Sequence, residues 1–234
     1  MVRIVDLSLI EQLRDFDTAL LANTIGYIDQ TPAHEYYMGG SIRSVTPSLG
    51  PTVGVAVTCE LDSSTPNQMP DVDGYNRQVD QILAMEVPVI WVVKTVGSRP
   101  DHECVLGDGM AKTLFSVGCV GAVTDGGVRD IAGLLSTPFA VYCKGTTIHH
   151  TALRFGPINQ NVEVGGIQVF SGDLIHANSE GVIKIPDSCH RTIVEAAIRM
   201  RTFEQDAHRG LRRSDLGAAE KRKWVVDALK RHGW

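Results

Sequence analysis

The sequence predicts a mixed α/β fold, a sheet-rich domain with helices mainly outside and a helical C-terminal extension. Three observations carry this. Strongly β-branched runs, TVGVAVTCE (52–60), VPVIWVVKT (87–95) and CVGAVT (119–124), alternate with helix-patterned segments, the sign of parallel units. The stretch VEVGGIQVFSGDLIHANSEGVIKIP (162–186) then reads as short strands joined by Gly-Gly, Ser-Gly-Asp and Ser-Glu-Gly turns. From Pro186 to the end the pattern is helical. The expected division is an α/β domain over 1–190 and a helical extension over 191–234, packing on that domain or on a neighbouring subunit.

Each element has a local reason. Leu9, Leu13, Phe16, Leu20 and Leu21 space as one helical face over 6–22, within an amphipathic N-terminal stretch that does not read as a signal peptide. Residues 23–50 are rich in Gly, Thr, Ser and Pro and read as irregular. A loop over 64–74 precedes a helix over 75–86, and a second loop spans 98–109. A helix over 111–117 stops at Gly118. Asp130 stands where it would cap a short helix, and PFAVYCKG (138–145) is a further strand.

The chain of 234 residues has a net charge of −5, which argues against a general nucleic-acid binder. The charge is uneven: residues 201–234 carry nine Lys/Arg against five Asp/Glu. A basic tail could touch nucleic acid; a solvated helix, or one packed on an acidic neighbour, is the preferred reading. The five cysteines have no C-x-x-C spacing and read as buried apolar residues in a reducing compartment. No apolar run reaches membrane-span length. The expectation is a cytoplasmic protein.

The informative stretch is LGDGMAKTLFSVGCVGAVTDGGVRD (106–130). A helix that returns antiparallel to its following strand brings the residues before it near those after the strand. The Gly107-Asp108-Gly109 turn should therefore face Gly126-Gly127-Val128-Arg129-Asp130, at strand C-terminal ends where α/β sheets bind ligands. The helix start offers backbone N–H groups to a carboxylate or phosphate. Arg129 offers a planar fork for the same anion. Asp108 and Asp130 offer hard oxygens to a divalent cation such as Mg²⁺. Gly-Asp pairs are also ordinary turn chemistry, and Arg-Asp can be a cap with a salt bridge.

Other side chains carry two readings each. Lys94 ends an apolar strand, as Schiff-base lysines do, but a lysine snorkelling to solvent is preferred. Lys112 lies one turn into the helix and could assist anion binding. Adjacent His149 and His150 on an extended chain would face opposite ways, so they read as loop residues at a pocket rim. His102 precedes the first turn and is a candidate for touching substrate. There is no Gly-x-Ser-x-Gly elbow and no P-loop.

The stretch from Gly107 to Asp130 resembles the RraA-like family, which includes metal-dependent class II 4-hydroxy-4-methyl-2-oxoglutarate aldolases and the regulator of ribonuclease activity A. The resemblance extends to GVAVTCE (54–60) and to 162–186. It implies a swivelling β/β/α domain, a trimer or pair of trimers, and a site between subunits. It further implies that Asp130 anchors Mg²⁺ or Mn²⁺, directly or through water. Arg129 would bind a 2-oxo acid and stabilise its enolate. The turn at Gly107, with the amides of Gly109, Met110 and Ala111, would hold the substrate carboxylate. Asp108 would orient a water that shuttles a proton to the pyruvate methyl. The activity so implied is retro-aldol cleavage of a 4-hydroxy-2-oxo acid, oxaloacetate decarboxylation, or both; the alternative is a non-catalytic, protein-binding regulator of ribonuclease activity.

This chain departs from the family pattern at three places. Gly133 stands where aldolase members carry Asp or Glu. Gly109-Met110 replaces a frequent Leu-Leu, and Ala177-Asn178 replaces Ala-Asp. Asp125 is a candidate replacement for the carboxylate missing at 133. Glu204 is a candidate for the acidic residue that a neighbouring subunit's C-terminal helix lends to some members.

Overall fold

The computed structural model describes residues 5–234. Its helices are α1 (Leu7–Leu13), α2 (Thr18–Ile28), α3 (Val72–Leu83), α4 (Asp108–Ser116), α5 (Ile131–Leu135), α6 (Ile193–Leu211) and α7 (Ala218–Arg231). The strands are β1 (Arg43–Ser44), β2 (Thr52–Asp62), β3 (Val89–Thr95), β4 (Cys104–Leu106), β5 (Cys119–Thr124), β6 (Gly127–Val128) and β7 (Ala140–Cys143). They continue with β8 (Gly145–Thr146), β9 (Arg154–Ile158), β10 (Val162–Val164), β11 (Ile167–Val169), β12 (Leu174–Asn178) and β13 (Gly181–Ile185). No helix among the described residues is long and apolar enough to cross a membrane.

The main sheet runs in the order β1-β7-β5-β3-β2-β12-β13, with β9 also on β2. Its centre is parallel: β2 to β3, β3 to β5 and β5 to β7. The long β2 organises it, because its free edge takes antiparallel β12 along Thr52–Val55 and antiparallel β9 along Cys59–Asp62. Side chains alternate across the pleat. Val53 and Val55 face the packing of α1, α2 and α6, while Val57, Cys59 and Leu61 face that of α3 and α4. Ala56 points to the other face, where Ile90, Val92 and Val123 meet the β10–β11 hairpin through Val162, Val164, Ile167 and Val169. The result is an α/β arrangement of helices, large sheet and hairpin, burying both sheet faces, as the continuous apolar strands require.

The C-terminal helices share the N-terminal core. Ile193, Ala197, Met200 and Phe203 of α6 pack with Ile10, Leu13, Leu21 and Ile25. All five cysteines are buried free thiols, and burial pushes Cys119 up to about 12, which makes it inert.

Five sequence expectations need correction. The single helix expected over 6–22 is two, because the Asp17 carboxylate accepts the Leu20 amide at 2.7 Å and starts α2 afresh. That helix runs on to Ile28, into the segment read as irregular; the first four residues of the N-terminal stretch lie outside the described residues. The helix expected at 75 starts at Val72, capped by Asp71 onto the Gly74 amide at 2.8 Å. The loop expected over 98–109 contains β4, three residues too short to show a period. From Pro186 the chain is not one helical run, since residues 212–217 separate α6 from α7.

His176 of β12 is fully buried and pins the break between α1 and α2. Its Nε2 lies 3.2 Å from the Leu13 carbonyl and its Nδ1 lies 3.0 Å from the Thr18 hydroxyl. A neutral ring protonated at Nε2 satisfies both. Burial pushes its pKa down to about 4, from an ordinary 6.5. Between those values the unfolded chain binds the proton that the fold refuses. This contribution to stability is therefore whole above pH 6.5, falls as pH drops, and levels off below about 4. Urea midpoints measured from pH 7.5 to pH 4 should fall by an amount worth up to about 3 kcal/mol from this group, and His176→Gln should flatten that part of the profile.

Candidate active site

The two turns singled out in the sequence do face each other, through a structure the sequence did not reveal. Strands β4, β6 and β8 form a second, wholly parallel sheet in that order. Cys104 pairs with Gly127, and Gly127 with Gly145. The ladder continues past the strand ends: the Arg129 amide donates to the Leu106 carbonyl at 3.0 Å, and the Thr147 amide to the Val128 carbonyl at 3.0 Å. Each strand therefore ends at the same level. Gly107-Asp108 leaves β4, Arg129-Asp130 leaves β6, and Thr147 leaves β8, with Arg129 in the middle.

This pairing also prepares the start of α4. The Leu106 carbonyl, which the Met110 amide would otherwise reach, is taken by Arg129. The Met110 amide is left without a partner among the described residues, as is usual in a first helical turn. The Ala111 amide is not available: it donates to the Gly107 carbonyl at 3.1 Å. The Gly109 amide interacts with the Asp108 carboxylate.

Asp130 stands in the left-handed region at φ 58° and ψ 44°, a conformation that Asp tolerates better than most side chains. It occupies the N-cap position of α5, but its side chain caps nothing, contrary to the sequence expectation. The carboxylate instead lies against Gly107, where a Cβ would fall on Oδ2. Arg129 Nε is 3.4 Å from that oxygen. Its Nη1 is 3.4 Å from His149 Nδ1. Both side chains stay reachable, Arg129 at 33% and Asp130 at 47% exposure, on a cavity of about 160 Å³ that Thr146 and Thr147 also line.

Asp108 accepts from Lys112 one turn along α4. That ammonium holds its carboxyl below the usual carboxylate range. The carboxylate rests on α5 at Gly133, where a Cβ would lie 2.5 Å from Asp108 Oδ2 and 2.6 Å from its Cβ. The glycine in place of an acidic residue is thus explained by space: Asp108 fills the position.

Other candidates fall elsewhere. Asp125 does not replace that carboxylate, because it is buried and accepts from Lys94 Nζ, the Thr95 amide and the Thr95 hydroxyl. Lys94 is by the same token an ion-paired strand end. His102 Nε2 contacts Arg99 Nη2 at 2.8 Å. Glu204 accepts from Asn23 at 3.0 Å and meets no site residue of its own protomer. His149 and His150 are side by side, ring centres 5.4 Å apart, because the chain turns there instead of extending. No group of three His, Cys, Asp or Glu side chains able to hold a metal occurs among the described residues.

Glu103 was missed. It is buried, and its carboxylate accepts from the Ser63 amide at 2.9 Å, the Ser63 and Ser64 hydroxyls and the Gly97 amide. Its partners lie 6 to 40 residues away, so no local pattern could mark it. It fastens the start of β4 to the ends of β2 and β3.

The chain belongs to the RraA-like family, whose model (Aldolase/RraA) matches residues 18–184. A protein of Halalkalibacterium halodurans named "Putative 4-hydroxy-4-methyl-2-oxoglutarate aldolase" is 34% identical over 104 residues, 44% of this chain and 48% of the relative. Protein DlpA of Legionella pneumophila is 29% identical over 116 residues, 48% of this chain and 19% of the relative. The matches thus span about half or less of those relatives. Among solved structures, a Pseudomonas syringae protein superposes with a TM-score of 0.72 at 21% identity, covering 95% of this chain and 96% of that one. Streptomyces coelicolor RraAS2, described as an unusual member of the RNase ES inhibitor RraA protein family, gives 0.68 at 21%, covering 88% and 98%. Both show the shared fold.

Removing the Glu103 charge should loosen this site before it unfolds the domain. Glu103→Gln leaves amide hydrogens facing donors, and we expect a loss of about 1–3 kcal/mol in chemical denaturation. Hydrogen exchange at residues 104–106 and 127–129 should accelerate more than in β2 or β3. Gly127→Val should act similarly, since a Cβ there falls on Thr147.

Proposed function

We propose that this chain is a divalent-metal-dependent lyase of 2-oxo acids that releases pyruvate through its enolate. The observation that carries the reading is that the β4–β6 ladder sets Arg129 and Asp130 beside the start of α4, where the Met110 amide has no partner among the described residues. The family's aldolase names support it.

The residues fit Mg²⁺ or Mn²⁺. Such ions are held by one or two carboxylates, with substrate oxygens and water completing the shell. Asp130 supplies a reachable hard oxygen, and no group of three His, Cys, Asp or Glu side chains that could form a zinc-type set occurs among the described residues. When bound, the ion supplies Lewis-acid stabilisation of negative charge on the substrate's oxygens.

The chain's own residues do the rest. The Met110 amide and the Arg129 fork bind the acid's carboxylate and keto oxygen. In retro-aldol cleavage the 4-hydroxyl would give its proton to the water that Asp108 orients, the C3–C4 electron pair moves onto C3, and a carbonyl compound leaves. In oxaloacetate decarboxylation the same pair is left behind by CO₂. Arg129 stabilises the enolate as charge develops, which is where a pre-placed donor acts most. Asp108, kept ionised by Lys112, orients the water that returns a proton to C3. We place the protein in the cytoplasm, as a trimer or hexamer with sites between subunits.

The test is pyruvate release from oxaloacetate and from 4-hydroxy-4-methyl-2-oxoglutarate by metal-stripped protein, with Mg²⁺ or Mn²⁺ added back. Turnover on at least oxaloacetate should depend on the metal. Asp130→Asn, which tolerates the left-handed backbone, should reduce it to the free-metal background. Arg129→Lys should lower kcat about 100-fold with a smaller change in KM. Full activity in Asp130→Asn would sink the assignment.

A further inference from the structure

Beside the site, on the α3 side of Met110, lies a larger cavity of about 390 Å³. Its walls are apolar: Val72 and Tyr75 of α3, Met110 of α4, Leu153 just before β9 and Phe155 within it. The Tyr75 and Phe155 rings stand 5.9 Å apart. The volume is that of a small-molecule site.

Two connections join it to the candidate active site. Met110 contributes its amide to the anion-binding start of α4 and its side chain to the cavity wall. His150, also in the wall, packs at a tilt against His149, which contacts Arg129. An acid seated on Arg129 and the Met110 amide is one side chain away from this space.

The lining chemistry selects the occupant. Among the described residues no Lys or Arg lines the cavity, and the one carboxylate there is Asp71, the cap of α3. A carboxylate entering here would lose water, find no cation and meet Asp71. A branched or aromatic group would bury apolar surface against matching walls.

We infer that this cavity is the distal subsite of the 2-oxo-acid site and takes an uncharged, apolar tail. It rests on the reading of the Arg129 site given above. It makes the chain selective for 2-oxo acids with branched or aromatic substituents, and makes dicarboxylic substrates longer than oxaloacetate, such as 4-hydroxy-4-methyl-2-oxoglutarate, poor ones.

Binding titrations in Mg²⁺ test this without turnover. The probes are 4-methyl-2-oxopentanoate, 2-oxoglutarate of similar size, and pyruvate as the head alone. Wild type should prefer the branched acid to 2-oxoglutarate by about tenfold or more. Val72 is 67% exposed at the cavity, so its replacements should fold. Val72→Arg should reverse the preference, and Val72→Trp should remove the advantage of the branched acid over pyruvate. Equal affinities in wild type, or ratios unmoved by both variants, would overturn the subsite. If Val72→Arg instead dissociates the oligomer in sedimentation, a second copy fills the cavity and the subsite is likewise overturned. Failure of the parent reading shows separately: pyruvate in Mg²⁺ would then bind no more weakly to Asp130→Asn than to wild type.

Discussion

The register between β4 and β6 is the constraint on which the site depends. One hydrogen bond, from the Arg129 amide to the Leu106 carbonyl, does two things at once. It fixes where Arg129 and Asp130 leave their strand. It also removes the carbonyl that the Met110 amide would have used, so a donor is left at the start of α4. A slip of one residue in so short a ladder would turn Arg129 to the other face.

Several buried groups serve that register. The Glu103 carboxylate joins the ends of β2 and β3 to the start of β4, with backbone and hydroxyl donors standing in for a cation. Asp125 performs a similar role at the end of β5, where it ties Lys94 and Thr95 together before the chain turns into β6. Gly127 lets Thr147 approach β6, and Gly133 lets Asp108 lie on α5. Asp108 and Asp130 keep carboxylate oxygens within reach of solvent; the buried carboxylates, Glu103 and Asp125, hold backbone. Sequence treats all four alike. Burial and partners separate them.

Much of the large sheet was legible in the sequence, because β2, β3, β5 and β7 are buried on both faces and so appear as unbroken apolar runs. The convergence of the 107–109 and 126–130 turns was legible too, from helix-and-strand geometry alone. Its physical basis was not: β4, β6 and β8 hold three, two and two residues, too few for any period to register. The break at Asp17 was hidden by apolar spacing that stays in phase across α1 and α2. Gly133 looked like a lost carboxylate, since one sequence cannot show that Asp108 fills its space. The cavity beside Met110 was equally invisible, as its walls come from positions 72, 75, 110, 153 and 155.

The central claim is that Asp130 and the neighbouring anion site bind cation and 2-oxo acid together. Oxalate, a planar mimic of the pyruvate enolate, tests it directly. The affinity for Mn²⁺ should be measured by electron paramagnetic resonance with and without oxalate, in wild type and in Asp130→Asn. The account predicts that oxalate tightens Mn²⁺ binding about tenfold or more in wild type, reciprocally for the two ligands, and that the coupling vanishes in the variant. Mn²⁺ binding that is indifferent to oxalate, or coupling that survives in Asp130→Asn, would contradict it.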